Sequence, residues 1–129
     1  MFQVPKIKFK KLVDDAELPY RKSVSDAGYI LKSIDTKILP EKEYTTISTG
    51  LKVEDFVKGV WGIILPFEDL LEERKIQAVT YVLENNFRDE LKITLYNASD
   101  DGYYIESGQD IAKLVFMPLL TIEPEFNNE

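Results

Sequence analysis

Carboxylates, amines and phenols are the side chains in this sequence able to move a proton near neutral pH. The chain has 23 Asp and Glu, 16 Lys and Arg and 7 Tyr, but neither His nor Cys. Lacking His, it has no imidazole base, no imidazole metal ligand and no Ser-His nucleophile. Lacking Cys, it forms no disulfide, no thiolate zinc site and no cysteine nucleophile. Acid–base chemistry is therefore left to a carboxylate, a lysine or a tyrosine. A formal net charge of −7 argues against a broad nucleic-acid surface, which needs clustered cations. The basic cluster Lys6, Lys8, Lys10 and Lys11 alternates with Ile7 and Phe9, as on a strand with a solvated lysine face. Acidic patches stand at Asp14-Asp15, at Glu68-Asp69 with Glu72-Glu73, and at Asp100-Asp101.

The elements that must position such groups are short. Apolar runs broken by turn residues predict strands over residues 6–12, 29–34, 44–53, 57–65, 78–83, 90–96, 103–106, 111–117 and 121–122. Pro40-Glu41-Lys42 and residues 97–102 read as turns. One segment has a helical period. Leu70 and Leu71 follow Phe67 by three and four residues, which places all three on one face of a helix over residues 67–74. Glu68 and Asp69 in its first turn and Arg74 and Lys75 in its last suit the helix dipole. Many short strands at this spacing predict an all-β sandwich or barrel. Residues 1–122 read as one domain and residues 123–129 as a short polar tail. No apolar stretch approaches the ~20 residues of a membrane span, and the first residues lack the pattern of a signal peptide. The expectation is a soluble, intracellular protein.

Four stretches, in order, resemble the homotrimeric dUTPase family. The first runs from Ile7 through Glu17-Leu18-Pro19-Tyr20-Arg21 to Ala27-Gly28-Tyr29-Ile30-Leu31. The second is Thr49-Gly50-Leu51. The third is Leu83-Glu84-Asn85-Asn86-Phe87-Arg88-Asp89-Glu90 with Leu95-Tyr96-Asn97, and the fourth is Gly108-Gln109-Asp110-Ile111-Ala112-Lys113-Leu114. The resemblance implies a distorted jelly roll and a homotrimer with three sites, each shared between subunits. It also implies hydrolysis of dUTP to dUMP and pyrophosphate. In the family a third-motif carboxylate activates water, magnesium holds the triphosphate, and a glycine-rich C-terminal arm closes over the site.

Carried onto this chain, the resemblance puts Glu84 at the water-activating position. Tyr81, Phe87, Arg88 and Lys113 fall at nucleotide-pocket positions. Several of the family's polar groups have no counterpart. Ile30 stands at the first motif's acidic position, and retention of Gly28 beside it suggests a special dihedral or a close approach. Phe67-Glu68-Asp69 stands where the family has Arg-Ser-Ser, so carboxylates replace phosphate donors. Two like charges 4 Å apart repel by roughly 4 kcal/mol at an effective dielectric near 20. Residues after Pro118 contain no Gly, Arg or Lys and so no closing arm. The expectation is thus a degenerate, non-catalytic dUTPase-fold protein, viral or phage-encoded and acting in the host cytoplasm. It would use its acidic patches to bind a protein partner with a basic surface, with no cofactor, metal, nucleic acid or membrane. The alternative is a divergent magnesium-dependent diphosphatase acting on dUTP or another nucleoside triphosphate through Glu84. A second alternative is a virion assembly component.

Overall fold

The computed structural model describes residues 4–128; Met1–Gln3, part of the leader reading above, and Glu129 of the tail lie outside the described residues. The order of elements is β1 (Ile7–Lys11), β2 (Gly28–Lys32), β3 (Lys37–Leu39), β4 (Tyr44–Phe56), β5 (Val60–Pro66), α1 (Glu68–Arg74), β6 (Ile76–Ala78), β7 (Tyr81–Leu83), β8 (Glu90–Asn97), β9 (Tyr103–Ile105) and β10 (Asp110–Pro118). Two four-stranded sheets, β1-β4-β8-β6 and β2-β10-β5-β7, are joined by a two-stranded β3-β9 ribbon. All strand pairs are antiparallel. This is the expected all-β jelly-roll type of fold with one short helix among the described residues.

Alternation along the strands builds the core. In β8, Leu91, Ile93, Leu95 and Asn97 are buried and the residues between them are not. Ile47 and Val53 of β4, Ile64 of β5, Leu83 of β7 and Ile111 and Leu114 of β10 join them in one cluster. Both sheets therefore contribute their inner faces to the same apolar layer.

The stretch Thr49-Gly50-Leu51 is an irregularity in β4. Its register with β8 shifts between Ser48 and Lys52, while Leu51 to Phe56 pair with β1. Thr49 Oγ1 donates to the Leu91 carbonyl at 2.5 Å, and Leu12 N donates to the Gly50 carbonyl at 2.8 Å. Gly50 has φ +72°, and a Cβ there would lie 3.1 Å from Ala16 Cβ, Ile34 Cδ1 and Val13 Cγ2. A left-handed non-glycine residue costs about 1–2 kcal/mol, and crowding adds to it. Gly50→Ala is expected to lower unfolding stability by about 2–3 kcal/mol in a urea titration. An unchanged midpoint would show that the bulge relaxes freely.

Several sequence expectations are corrected. The segment over residues 78–83 is two strands, because Val79 N bonds to Thr94 O before the chain crosses from the first sheet to the second. Residues 121–122 form no strand, and β3 and β6 were not expected. The helix starts one residue later than expected, with Phe67 as its extended N-cap; Phe67 and Leu70 are buried, but Leu71 is 39% exposed and sits at the edge of the buried face. Lys75 ends the helix in the left-handed conformation rather than occupying its last turn.

Candidate active site

Glu84 leads the turn that carries the chain from β7 in one sheet to β8 in the other. Phe87 N donates to the Glu84 carbonyl at 3.0 Å and tightens this turn. Asn85 anchors it: its Nδ2 donates to the carbonyls of Val57 at 2.7 Å and Val60 at 2.8 Å, on the β4–β5 connection. One amide thus supplies two acceptors that the connection leaves unpaired. Arg88 Nη1 donates to the Asn85 and Phe87 carbonyls, both at 2.8 Å, and its Nη2 lies 4.0 Å from Asp55. The Arg88 guanidinium is therefore spent on fixing the turn. Glu84 itself is exposed and aligned by the backbone around it.

Beside it, the rings of Tyr81 and Phe87 meet edge to face with centroids 6.3 Å apart. Tyr81 is 48% exposed and Phe87 is partly buried against the core. An exposed aromatic corner next to a carboxylate offers a flat apolar surface to a sugar or base and an acceptor to a water. Tyr81 stands on β7, Glu84, Phe87 and Arg88 stand on the turn that follows it, and the Tyr81–Phe87 ring contact links the two.

Lys113 is not with them. Leu83, adjacent to Glu84, pairs with Gly62, whereas Lys113 pairs with Leu65, three residues further along β5. At ~3.3 Å per residue the offset is about 10 Å along the strands. Lys113 instead forms an ion pair with Glu68, Nζ to Oε1 at 2.5 Å. This pair is the feature that sequence reasoning missed. The hydrogen bond from Lys113 holds the Glu68 carboxyl below the usual carboxylate range; a backbone hydrogen bond and nearby Lys22 act in the same direction. Lys22 Nζ in turn lies 5.6 Å from the centre of the Phe67 ring.

A cleft of about 250 Å³ is lined in part by Phe67 and Asp69, which flank Glu68 in sequence, and by Lys22, Arg74 and Asp110. Tyr20 OH donates to Asp110 Oδ2 at 2.9 Å, and burial together with that carboxylate pushes the phenol above its ordinary value. Ile30 belongs to the core and exchanges backbone hydrogen bonds with Tyr20, so its side chain plays no part in the cleft. Gly28 meets neither of the reasons expected for it. Its φ is not positive, and a Cβ would make only ordinary contacts, at 3.4–3.5 Å, with Val115 and the Lys113 stem.

A profile of the dUTPase family matches residues 14–129. The chain belongs to the dUTPase family. Among the relatives of the chain, the deoxyuridine 5'-triphosphate nucleotidohydrolase of Paramecium bursaria Chlorella virus 1 is 33% identical over 112 residues, covering 87% of this chain and 79% of the relative. The protein of the same name from avian adenovirus 8 is 32% identical over 120 residues, or 93% of this chain and 73% of the relative. The solved structure of a Staphylococcus bacteriophage 80alpha dUTPase mutant with dUpNHpp superposes with a TM-score of 0.86 at 22% identity, covering 96% of this chain and 97% of that one.

These relatives overturn the expectation of a non-catalytic protein, since dUTPase-family members alignable over most of the chain are named as hydrolases. The physical reason lies in the second motif. Bare carboxylates at Glu68 and Asp69 would repel a triphosphate, but in the fold Glu68 is neutralised by Lys113 with Lys22 nearby. Phosphate can also be held by lysine as a point charge, without the donors that are missing. Among the described residues no three His, Cys, Asp or Glu side chains converge to hold a metal ion. No helix among the described residues is long and apolar enough to cross a membrane.

Proposed function

We propose that the protein is a dUTP diphosphatase that takes the magnesium complex of dUTP and releases dUMP and pyrophosphate. The reading is carried by Glu84: a carboxylate held on an anchored turn, at the family's water-activating position, beside the Tyr81–Phe87 corner. Water supplies an oxygen, the phosphoanhydride bond between the α- and β-phosphates breaks, and the Glu84 carboxylate takes the water's proton. Tyr81 and Phe87 hold the nucleoside, Arg88 keeps the turn rigid, and Lys113 meets the phosphates.

The offset of about 10 Å between Leu83 and Lys113 along β5 supports a site completed between subunits, with Glu84 of one copy facing Lys113 of another. We take the assembly to be a homotrimer, and sedimentation equilibrium tests it: a monomer at micromolar concentration would contradict the shared site.

Purified protein mixed with dUTP and Mg²⁺ is expected to release pyrophosphate. The same mixture is expected to melt several degrees higher than protein alone, because a ligand at a hundred times its Kd adds about 2.7 kcal/mol to the folded state. Absence of both signals would defeat the proposed activity. A larger response to another nucleoside triphosphate would reassign the substrate.

A further inference from the structure

We propose that Glu68 is a built-in competitor for the substrate's phosphates, and that its ion pair with Lys113 must open before a triphosphate can engage that lysine. The inference rests on the assignment of Lys113 to the phosphate subsite and adds a residue that sets the subsite's affinity.

The geometry makes Lys113 the fixed partner and Glu68 the movable one. Lys113 alternates along β10 with buried Ala112 and Leu114, so its side chain leaves the outer face of the sheet. Its stem lies across Gly28, with Cβ and Cδ each 3.5 Å from where a Cβ on that glycine would stand. The Lys113 side chain is 27% exposed, whereas that of Glu68 is 55% exposed. Glu68 reaches it from the first turn of α1, just past the Pro66 that pairs with Ala112. A carboxylate on that side can swing into solvent while the ammonium stays in place.

The surrounding charges give the swing a consequence. With Glu68 in place, the pair presents no net charge to an incoming anion. With Glu68 displaced, the Lys113 ammonium is left without that counter-ion, and Lys22, whose charge also acts on Glu68, lines the neighbouring cleft. The remaining carboxylates of the cleft are Asp69, Glu73 and Asp110, and Asp110 is engaged by Tyr20. Half-exposed pairs of this kind are weak, so a charge-assisted phosphate contact can displace Glu68 at modest cost.

The test compares the full-length protein with Glu68→Gln, Lys113→Gln and the double variant. Two readouts are used: pyrophosphate release from dUTP with Mg²⁺, and calorimetric binding of inorganic tripolyphosphate with Mg²⁺. Competition predicts that Glu68→Gln lowers the KM for dUTP and the Kd for tripolyphosphate by about three- to tenfold, with the change carried by KM rather than kcat. It also predicts that the gain vanishes when Lys113 is already glutamine. An unchanged or raised Kd in Glu68→Gln overturns the proposal. So does an equal gain in the Lys113→Gln background, which would mean general repulsion rather than competition for one lysine. If tripolyphosphate binding responds as expected but no form releases pyrophosphate, the competition stands and the hydrolase assignment fails. If all forms turn over dUTP and the Kd is indifferent to Glu68, the reverse holds.

Discussion

Glu84→Gln is expected to reduce pyrophosphate release from dUTP by about 10²–10⁴-fold, the usual contribution of a positioned general base. Glutamine keeps the length and polarity of the side chain but cannot take a proton from water. Because Glu84 is exposed and its turn is held by Asn85 and Arg88, the substitution should leave the fold intact. Nucleotide binding should survive with little change, so the loss should fall on kcat. Wild-type activity in Glu84→Gln would remove the base assignment. Activity low in every form, wild type included, would remove the enzyme.

The second large effect concerns the scaffold. Asn97→Ala is expected to lower stability by about 3–5 kcal/mol, more than the glycine substitution in the β4 bulge. Asn97 is fully buried at the end of β8, and its Nδ2 donates to the carbonyls of Leu39 at 3.0 Å and Asp101 at 2.9 Å. Its Oδ1 accepts from Ser99 N at 3.0 Å and Ser99 Oγ at 2.7 Å. One side chain thereby ties β3, β8 and the following turn together. Alanine would leave buried polar groups without partners, and no other side chain is placed to replace all four bonds. Denaturant unfolding measures the loss directly. Asn97→Asp should not recover it, because a carboxylate oxygen in place of Nδ2 would face the Leu39 and Asp101 carbonyls, acceptor against acceptor, in a buried site.

The same residues show what could be read from the sequence and what could not. The alternation of Leu91, Ile93 and Leu95 announces β8, and Phe67 with Leu70 announces α1, because each follows the period of its element. The three-residue strands β3 and β6 are too short to establish a period and exist because a partner strand pairs with them. The break at Val79 likewise depends on a hydrogen bond to Thr94 that nothing local foretells. In the site, Glu84 and its aromatic neighbours were legible because they are contiguous and match a family motif. Lys113 and Glu68 lie 45 positions apart, and their pairing is a fact of β10 lying beside β5. Read separately, one is a lysine at a nucleotide-pocket position and the other a carboxylate in the first turn of a helix. Read together, they turn a supposed barrier to substrate into a neutral pair.

The position of β10 has a consequence for synthesis on the ribosome. This strand lies between β2 and β5 and bonds to both, yet it is the last strand among the described residues. Until it emerges, β2 has no neighbour in its sheet, and one edge of β5 is left open. A nascent chain stalled before Asp110 therefore exposes unpaired strand edges, which are templates for aggregation. Closure of the sheet must wait until the strand has left the exit tunnel, whatever the folding speed of the earlier segments. Cells making this protein quickly would gain from a chaperone that covers those edges in the interval.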